Sequence, residues 1–141
     1  MSGTILVTDA DERAALAVTR SLGRAGWRIV TCGASSSSLA GRSRYATRSL
    51  PVPAPLREPG AFADRVVALA RAEAARFVLP IGEPALLALL PMRAALPPGA
   101  IPWPALESVR AICDKRRVLE AAPAFGIGVP RQLILASARE L

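Results

Sequence analysis

The acidic group Asp9, Asp11 and Glu12, the isolated Glu83, the Ser43-Arg44-Tyr45 segment and Lys115 are the residues whose types and settings could support chemistry. Asp9 and Asp11 directly follow a short apolar run. That placement suits either a shared divalent cation or the capping of a helix that starts there, and capping is the commoner use. Glu83 lies just past another apolar run and fits a ligand contact or, equally, the first turn of a helix, where a carboxylate meets the positive end of the helix dipole. Ser43, Arg44 and Tyr45 gather several donors, enough to bind an anion or simply to carry the chain across a sheet edge. Lys115 is the only Lys among 18 basic residues, and it follows Asp114 at the start of a helical pattern. An ammonium on a flexible stem beside helix N–H groups suits a phosphate, although a solvated first-turn lysine is the simpler reading.

These residues need a frame, and the apolar pattern supplies one. Thr4 to Thr8 (TILVT) reads as a strand, Ala15, Val18 and Leu22 share one face of a helix closed by Gly23 and Gly26, and Trp27 to Cys32 (WRIVTC) reads as a second strand. Such a unit requires a parallel pair with a right-handed crossover. Asp9 or Asp11 is expected to accept N–H bonds at the helix start. Gly33 to Ser38 (GASSSS) reads as a flexible loop, with phosphate cradling as the weaker alternative, Leu39 to Ser43 as one helical turn, and Arg48 to Val52 as a third strand. Pro51, Pro53, Pro55 and Pro59 mark a loop. Phe62, Val66 and Leu69 recur at helical spacing, which predicts an amphipathic helix over Ala61 to Ala75, with a buried strand at Phe77 to Ile81. Glu83 opens a helix that stops at Pro91 or continues to Leu96, and Ala100 to Trp103 reads as a short fifth strand. The alternation predicts an α/β fold: an open, doubly wound parallel sheet over residues 1–104. From Ala105 the texture changes to two short helices, Leu106 to Cys113 and Asp114 to Ala122, followed by FGIGV and a strand at Gln132 to Ala136. Residues 105–141 read as linker helices and the start of a second unit.

Ligands of an open parallel sheet bind at the carboxyl ends of its strands, which selects Thr8, Asp9, Asp11, Gly33, Ser35, Gly82 and Glu83. Neither G-x-G-x-x-G nor G-x-x-x-x-G-K-[ST] is present, so neither the dinucleotide fingerprint nor the Walker loop supports nucleotide binding there. A composition of 52% hydrophobic and 21% charged residues excludes disorder and collagen. Histidine is absent and Cys32 and Cys113 stand far apart, which removes most zinc sites and every His-based triad. No apolar stretch approaches the ~18 residues of a membrane span and no secretory leader is present, so a cytoplasmic chain with reduced thiols and no membrane contact is expected. The net charge of +7 invites a nucleic-acid partner. Its arginines are scattered and without aromatic interleaving, so no nucleic-acid partner is expected.

In chain order, TDAD, RSLGRAGW, AGRSRYA, FVLPIGEPALLAL and DKRRVLEAAPAFGIGVP cover most of residues 4 to 132. Together they resemble the N-terminal region of ATP-grasp proteins, above all carbamoyl-phosphate-synthase-like and biotin-carboxylase-like members. The resemblance implies a Rossmann-like preATP-grasp domain over 1–104, followed by the truncated start of an ATP-grasp domain. It implies that Lys115 matches a lysine that contacts ATP phosphate, and that Glu83, in the P-x-x-E segment, faces the cleft. Asp9, Asp11, Arg44 and Tyr45 match recurrent positions, and Asp9, Asp11 and Arg44 are candidates for the substrate cleft. Parent proteins use ATP and Mg²⁺ to activate a carboxylate as an acyl phosphate, which an amine or similar nucleophile then takes. The second ATP-binding lysine and the acidic metal ligands of that pattern would lie beyond Leu141. The chain alone is therefore expected to be inactive, with no catalytic or metal-binding residue and no tightly bound cofactor. Pro123 and the Arg116-Arg117 pair depart from the pattern. Two other readings compete: a free-standing interaction module or partner subunit, docking through Leu133 to Leu135 onto a second copy or a separate ATP-grasp chain, and a receiver-like domain, which lacks its Asp at the end of the third strand.

Overall fold

The computed structural model describes residues 3–131. In chain order the elements are β1 (Thr4–Val7), α1 (Arg13–Arg24), β2 (Arg28–Gly33), β3 (Ala46–Pro51), α2 (Pro59–Ala72), β4 (Ala75–Leu79) and α3 (Glu83–Leu89). A 3₁₀ turn (Leu90–Ala95), α4 (Leu106–Cys113), α5 (Lys115–Ala121) and a second 3₁₀ turn (Ala122–Phe125) follow. The chain divides into two compact units, Met1–Leu106 and Glu107–Leu141.

Four parallel strands form one open sheet in the order β3-β2-β1-β4. All four residues of β1 are buried, as expected for a central parallel strand covered on both faces. On one face Ile5, Val7 and Ile29 pack with Ala15 of α1, flanked by half-buried Leu22, Trp27 and Phe77. Trp27 and Phe77 meet edge to face at 5.9 Å. Alternation turns Leu6, Val30 and Val78 to the opposite face, where α2 buries Phe62, Val66, Leu69 and Ala70. Burial of a side chain as large as Phe62 or Leu6 stabilises the fold by about 2–3 kcal/mol. The α/β parallel architecture is the one the alternation predicts. The strand order also overturns the receiver-like reading, because β2 separates β1 from β3, whereas that topology places β1 between them.

Local differences from the sequence pattern have local causes. Leu39 to Ser43 form turns and no helix: the buried Ser38 hydroxyl accepts Gly41 N–H at 3.2 Å and pairs with Ser49 Oγ at 3.0 Å, pinning this segment to β3. Those bonds also commit Ser38 to the scaffold, which removes it from any phosphate cradle. β3 starts at Ala46, paired with Ile29 ahead of a register irregularity. Pro59 belongs to α2 because its fixed φ and missing N–H suit the first helical turn. Ala100 to Trp103 form no strand; the segment joins the sheet through a single bond from Val78 N–H to the Ala100 carbonyl, 2.8 Å. Arg93 then holds the Trp103 and Pro104 carbonyls at 2.6 and 2.7 Å. Pro91 and Pro123 each tighten the end of a helix into a 3₁₀ turn. The strand expected at Gln132 to Ala136 lies outside the described residues.

In the second unit, Asp114 caps α5 by accepting the Arg116 and Arg117 N–H groups at 3.0 and 3.2 Å. Arg116 pairs with Glu120 one turn on, at 2.7 Å, and this partner holds its guanidinium pKa above the ordinary value. Ile112, Val118, Phe125 and Ile127 are exposed and line an apolar groove of about 380 Å³.

Candidate functional site

β1 is followed in the sheet by β2 on one side and β4 on the other, so the connections leaving β1 and β4 diverge. In an open α/β sheet this divergence opens the ligand crevice at the carboxyl ends. Asp9 occupies that point. Its Oδ2 accepts the Ile81 N–H at 3.1 Å and the Gly82 N–H at 3.0 Å, and the Thr8 hydroxyl donates to the same oxygen. The reach comes from a left-handed backbone, φ 53°, which costs a non-glycine residue about 1–2 kcal/mol. Two charge-assisted bonds to N–H groups more than offset that.

Asp11 serves the neighbouring strand in the same way. Its Oδ2 accepts the Ala34 N–H at 3.1 Å, just past β2. Gly33 leaves room for this bond, since a Cβ there would lie 2.8 Å from that oxygen and push the aspartate aside. The expectation that Asp9 or Asp11 caps α1 is therefore corrected. The Ncap of α1 is Glu12, with no side-chain bond, and both aspartates turn to loops distant in sequence. Unpaired N–H groups at the ends of β2 and β4 compete for the same oxygens, and the fold places them closer.

Between these carboxylates and an apolar wall of Val52, Pro53 and Phe62 lies a cavity of about 140 Å³, with Glu12 at its rim. Its side-chain polar groups are acceptors. It suits a small donor-bearing or cationic group such as an ammonium, amide or hydroxyl, and not a phosphate. Among the described residues no cluster of His, Cys, Asp or Glu is arranged to hold a metal ion, and Asp9 and Asp11 each commit an oxygen to backbone N–H groups. A magnesium site does not fit these residues. Cys32, buried beneath them, has its thiol pushed up to about 12, chiefly by burial and secondarily by the Asp9 charge, so it stays protonated and unreactive at neutral pH.

The other expected site residues are not gathered at one point. Glu83 is the first residue of α3, exposed, immediately after the Gly82 whose N–H Asp9 holds. Asp9 thus positions the start of α3. Nothing in the sequence signals this tie, because its partners are more than seventy residues apart. Arg44 precedes β3 and so stands at the amino ends of the strands, opposite the crevice that holds Asp9, Asp11 and Glu83. Lys115 is exposed at the first position of α5, in the second unit. The N–H groups that could join it in holding a phosphate are taken by Asp114.

No protein-family model matches the sequence, and no curated protein matches it. Solved structures do. The L-amino acid ligase from Bacillus licheniformis superposes with a TM-score of 0.69 and 16% identity, over 91% of this chain and 31% of its own. The biotin carboxylase subunit of pyruvate carboxylase gives 0.67 and 19% over 99% and 32%, and the biotin carboxylase domain of a single-chain bacterial carboxylase gives 0.65 and 22% over 98% and 32%. The chain spans about a third of the length of these proteins. They are ATP-grasp enzymes, and the fold of this chain is that of their N-terminal, preATP-grasp region. No helix among the described residues is long and apolar enough to cross a membrane.

Proposed function

We propose that this chain is the leading part of an ATP-grasp ligase-type protein and forms one wall of its substrate cleft. The observation that supports this reading is a superposition covering 91% or more of the chain on about a third of three such enzymes, ligase and carboxylases alike. In this reading the carboxyl ends of β1, β2 and β4 face the cleft, Asp9 and Asp11 hold the loops there, and Glu83 is presented toward substrate. Lys115 contributes a cation to an ATP phosphate. The activated carboxylate passes through an acyl phosphate and is captured by an amine or similar nucleophile. The described residues offer no magnesium site, so the metal of such chemistry is held by other residues.

The test is hydroxylamine trapping. The native gene product, isolated from its source, is incubated with ATP, Mg²⁺ and a panel of carboxylic acids, and acyl phosphate is read as hydroxamate. Expected are ATP-dependent hydroxamate from the native product, a loss of about tenfold or more with Lys115→Ala, and none from the 141-residue chain alone. No ATP-dependent product from any acid, or full turnover by the 141 residues, overturns the proposal.

A second reading, a non-catalytic partner subunit, is favoured by the exposed apolar group Ile112, Val118, Phe125 and Ile127. The two differ in stoichiometry. The partner reading requires a second polypeptide that copurifies in fixed ratio.

A further inference from the structure

The amino ends of the strands carry a second polar groove, of about 450 Å³, built from Arg20 and Arg24 of α1 and from Arg42, Ser43, Arg44 and Tyr45 ahead of β3. Four guanidinium groups line it, and no carboxylate does. Among the described residues none of the four has an acidic partner, whereas Arg28 and Arg48, on the neighbouring strands, share the buried Glu73. Arg28 and Arg48 are thus neutralised within the fold, and the four arginines of the groove are not. Arg20 and Arg24, one turn apart on α1, repel each other, and the loop adds two more like charges.

The loop is held in place despite that repulsion. Tyr45 lies against Gly23, where a Cβ would stand 2.5 Å from the Tyr45 Cβ, so only glycine lets the ring seat on α1. Arg44 donates to Tyr45 Oη at 2.9 Å and its guanidinium carbon lies 4.9 Å from the ring centroid. Ser43 Oγ accepts the Tyr45 N–H at 3.3 Å, and the Ser43 and Ala46 N–H groups close turns onto Ala40 and Ser43 carbonyls. The guanidinium of Arg44 is thus oriented before any ligand arrives. A planar fork of donors, repeated on two elements around one groove with a tyrosine and a serine hydroxyl beside it, is the donor set that phosphoryl oxygens match.

We infer that this groove binds a compact, multiply charged phosphoryl anion, such as a pyrophosphate or the polyphosphate arm of a nucleotide. A single phosphate neutralises too little of a fourfold positive site, and the groove has room for two or three linked phosphoryl groups. The inference is independent of the ligase reading, since the groove lies at the opposite end of the sheet from the crevice that holds Asp9 and Asp11 and shares no residue with it.

Isothermal titration of the 141-residue chain with inorganic phosphate, pyrophosphate and ATP tests it. Expected is saturable binding of pyrophosphate and ATP, each at least about tenfold tighter than phosphate. The Arg20→Gln/Arg44→Gln double variant should lose about tenfold or more in pyrophosphate affinity, while Arg13→Gln/Arg65→Gln, with the same net charge, should change it by less than about twofold. Gly23→Ala, which removes no charge but displaces Tyr45, should also weaken binding. If it does not fold, Tyr45→Phe carries the same test through the lost Arg44 contact. Three results overturn the inference: no saturable binding of pyrophosphate, equal loss in both double variants, or binding of ATP without pyrophosphate. Retained ATP affinity in the Arg20→Gln/Arg44→Gln variant, abolished by Lys115→Ala, would place the nucleotide elsewhere and overturn it as well.

Discussion

At the carboxyl ends of the sheet two aspartates are engaged by backbone, Asp9 with Ile81 and Gly82, Asp11 with Ala34. At the amino ends the charged side chains are mostly arginines, and among the described residues only Arg28 and Arg48 of these find a carboxylate, in Glu73. Both edges belong to one sheet of parallel strands; at the carboxyl edge the task is to hold the loop N–H groups of Ala34, Ile81 and Gly82, and at the amino edge it is to carry the arginines. Short aspartates are suited to the first task because they reach a neighbouring loop with one rotatable bond to spare. Long arginines cannot tie loops so tightly, and their charge stays available to solvent or to a ligand. One edge is therefore stapled and the other is open, and function placed at each should differ accordingly.

Removing the staple should have the largest effect. Asp9→Ala leaves the Ile81 and Gly82 N–H groups without their acceptor and keeps a strained φ without compensation, so urea denaturation should show a loss of about 3 kcal/mol. Asp9→Asn, which tolerates the left-handed backbone and retains one acceptor, should lose about half of that. At the other edge Glu73→Ala strands two guanidinium groups, but both are partly solvated, and the expected loss is about 2 kcal/mol. If Glu73→Ala cost more than Asp9→Ala, the contrast between a stapled and an open edge would fail.

Gly33→Ala should cost about 1–2 kcal/mol, because the new methyl must displace Asp11 from Ala34, and combining it with Asp11→Ala should recover part of the loss. Cys32 gives a pH test. Its folded pKa, about 12, exceeds the ordinary 9.0, so the folded chain keeps a proton that the unfolded chain releases. The associated stability is fully present below pH 9 and is lost as pH rises toward about 12. Urea midpoints should fall across that window, and less steeply in Cys32→Ala; in a Cys113→Ser background, Cys32 should react with a thiol reagent only on unfolding. The smallest effect belongs to Arg20→Gln, which should leave stability unchanged in high salt and raise it slightly in low salt by relieving repulsion with Arg24. A clear loss would mean that Arg20 has a stabilising partner.

The order of strands and helices was legible in the sequence because it depends on local periodicity. Ile5 and Val7, or Phe62, Val66 and Leu69, mark their faces within a few residues of one another. Boundaries governed by side chains from other elements were not legible. The Ser38 hydroxyl that replaces the expected helical turn at Leu39 to Ser43 with other turns bonds to Ser49 on β3. The supposed fifth strand kept a single ladder bond, since Arg93 draws Trp103 and Pro104 away.

For the site, the sequence by itself determined which residues could carry charge at each turn of the chain, and topology then selected the carboxyl ends of the strands. Asp9, Asp11 and Glu83 follow from that alone, as does the isolation of Lys115. Only the tertiary structure decided what those groups do: that Asp9 holds the start of α3 and not of α1, that Arg44 stands at the opposite edge from the acids, and that Arg20, Arg24, Arg42 and Arg44 share one groove. The physical reason is range. Helix and strand preferences are settled by neighbours a few positions away, whereas a carboxylate or a guanidinium takes whichever partner the fold brings within about 3 Å, however far along the chain it lies.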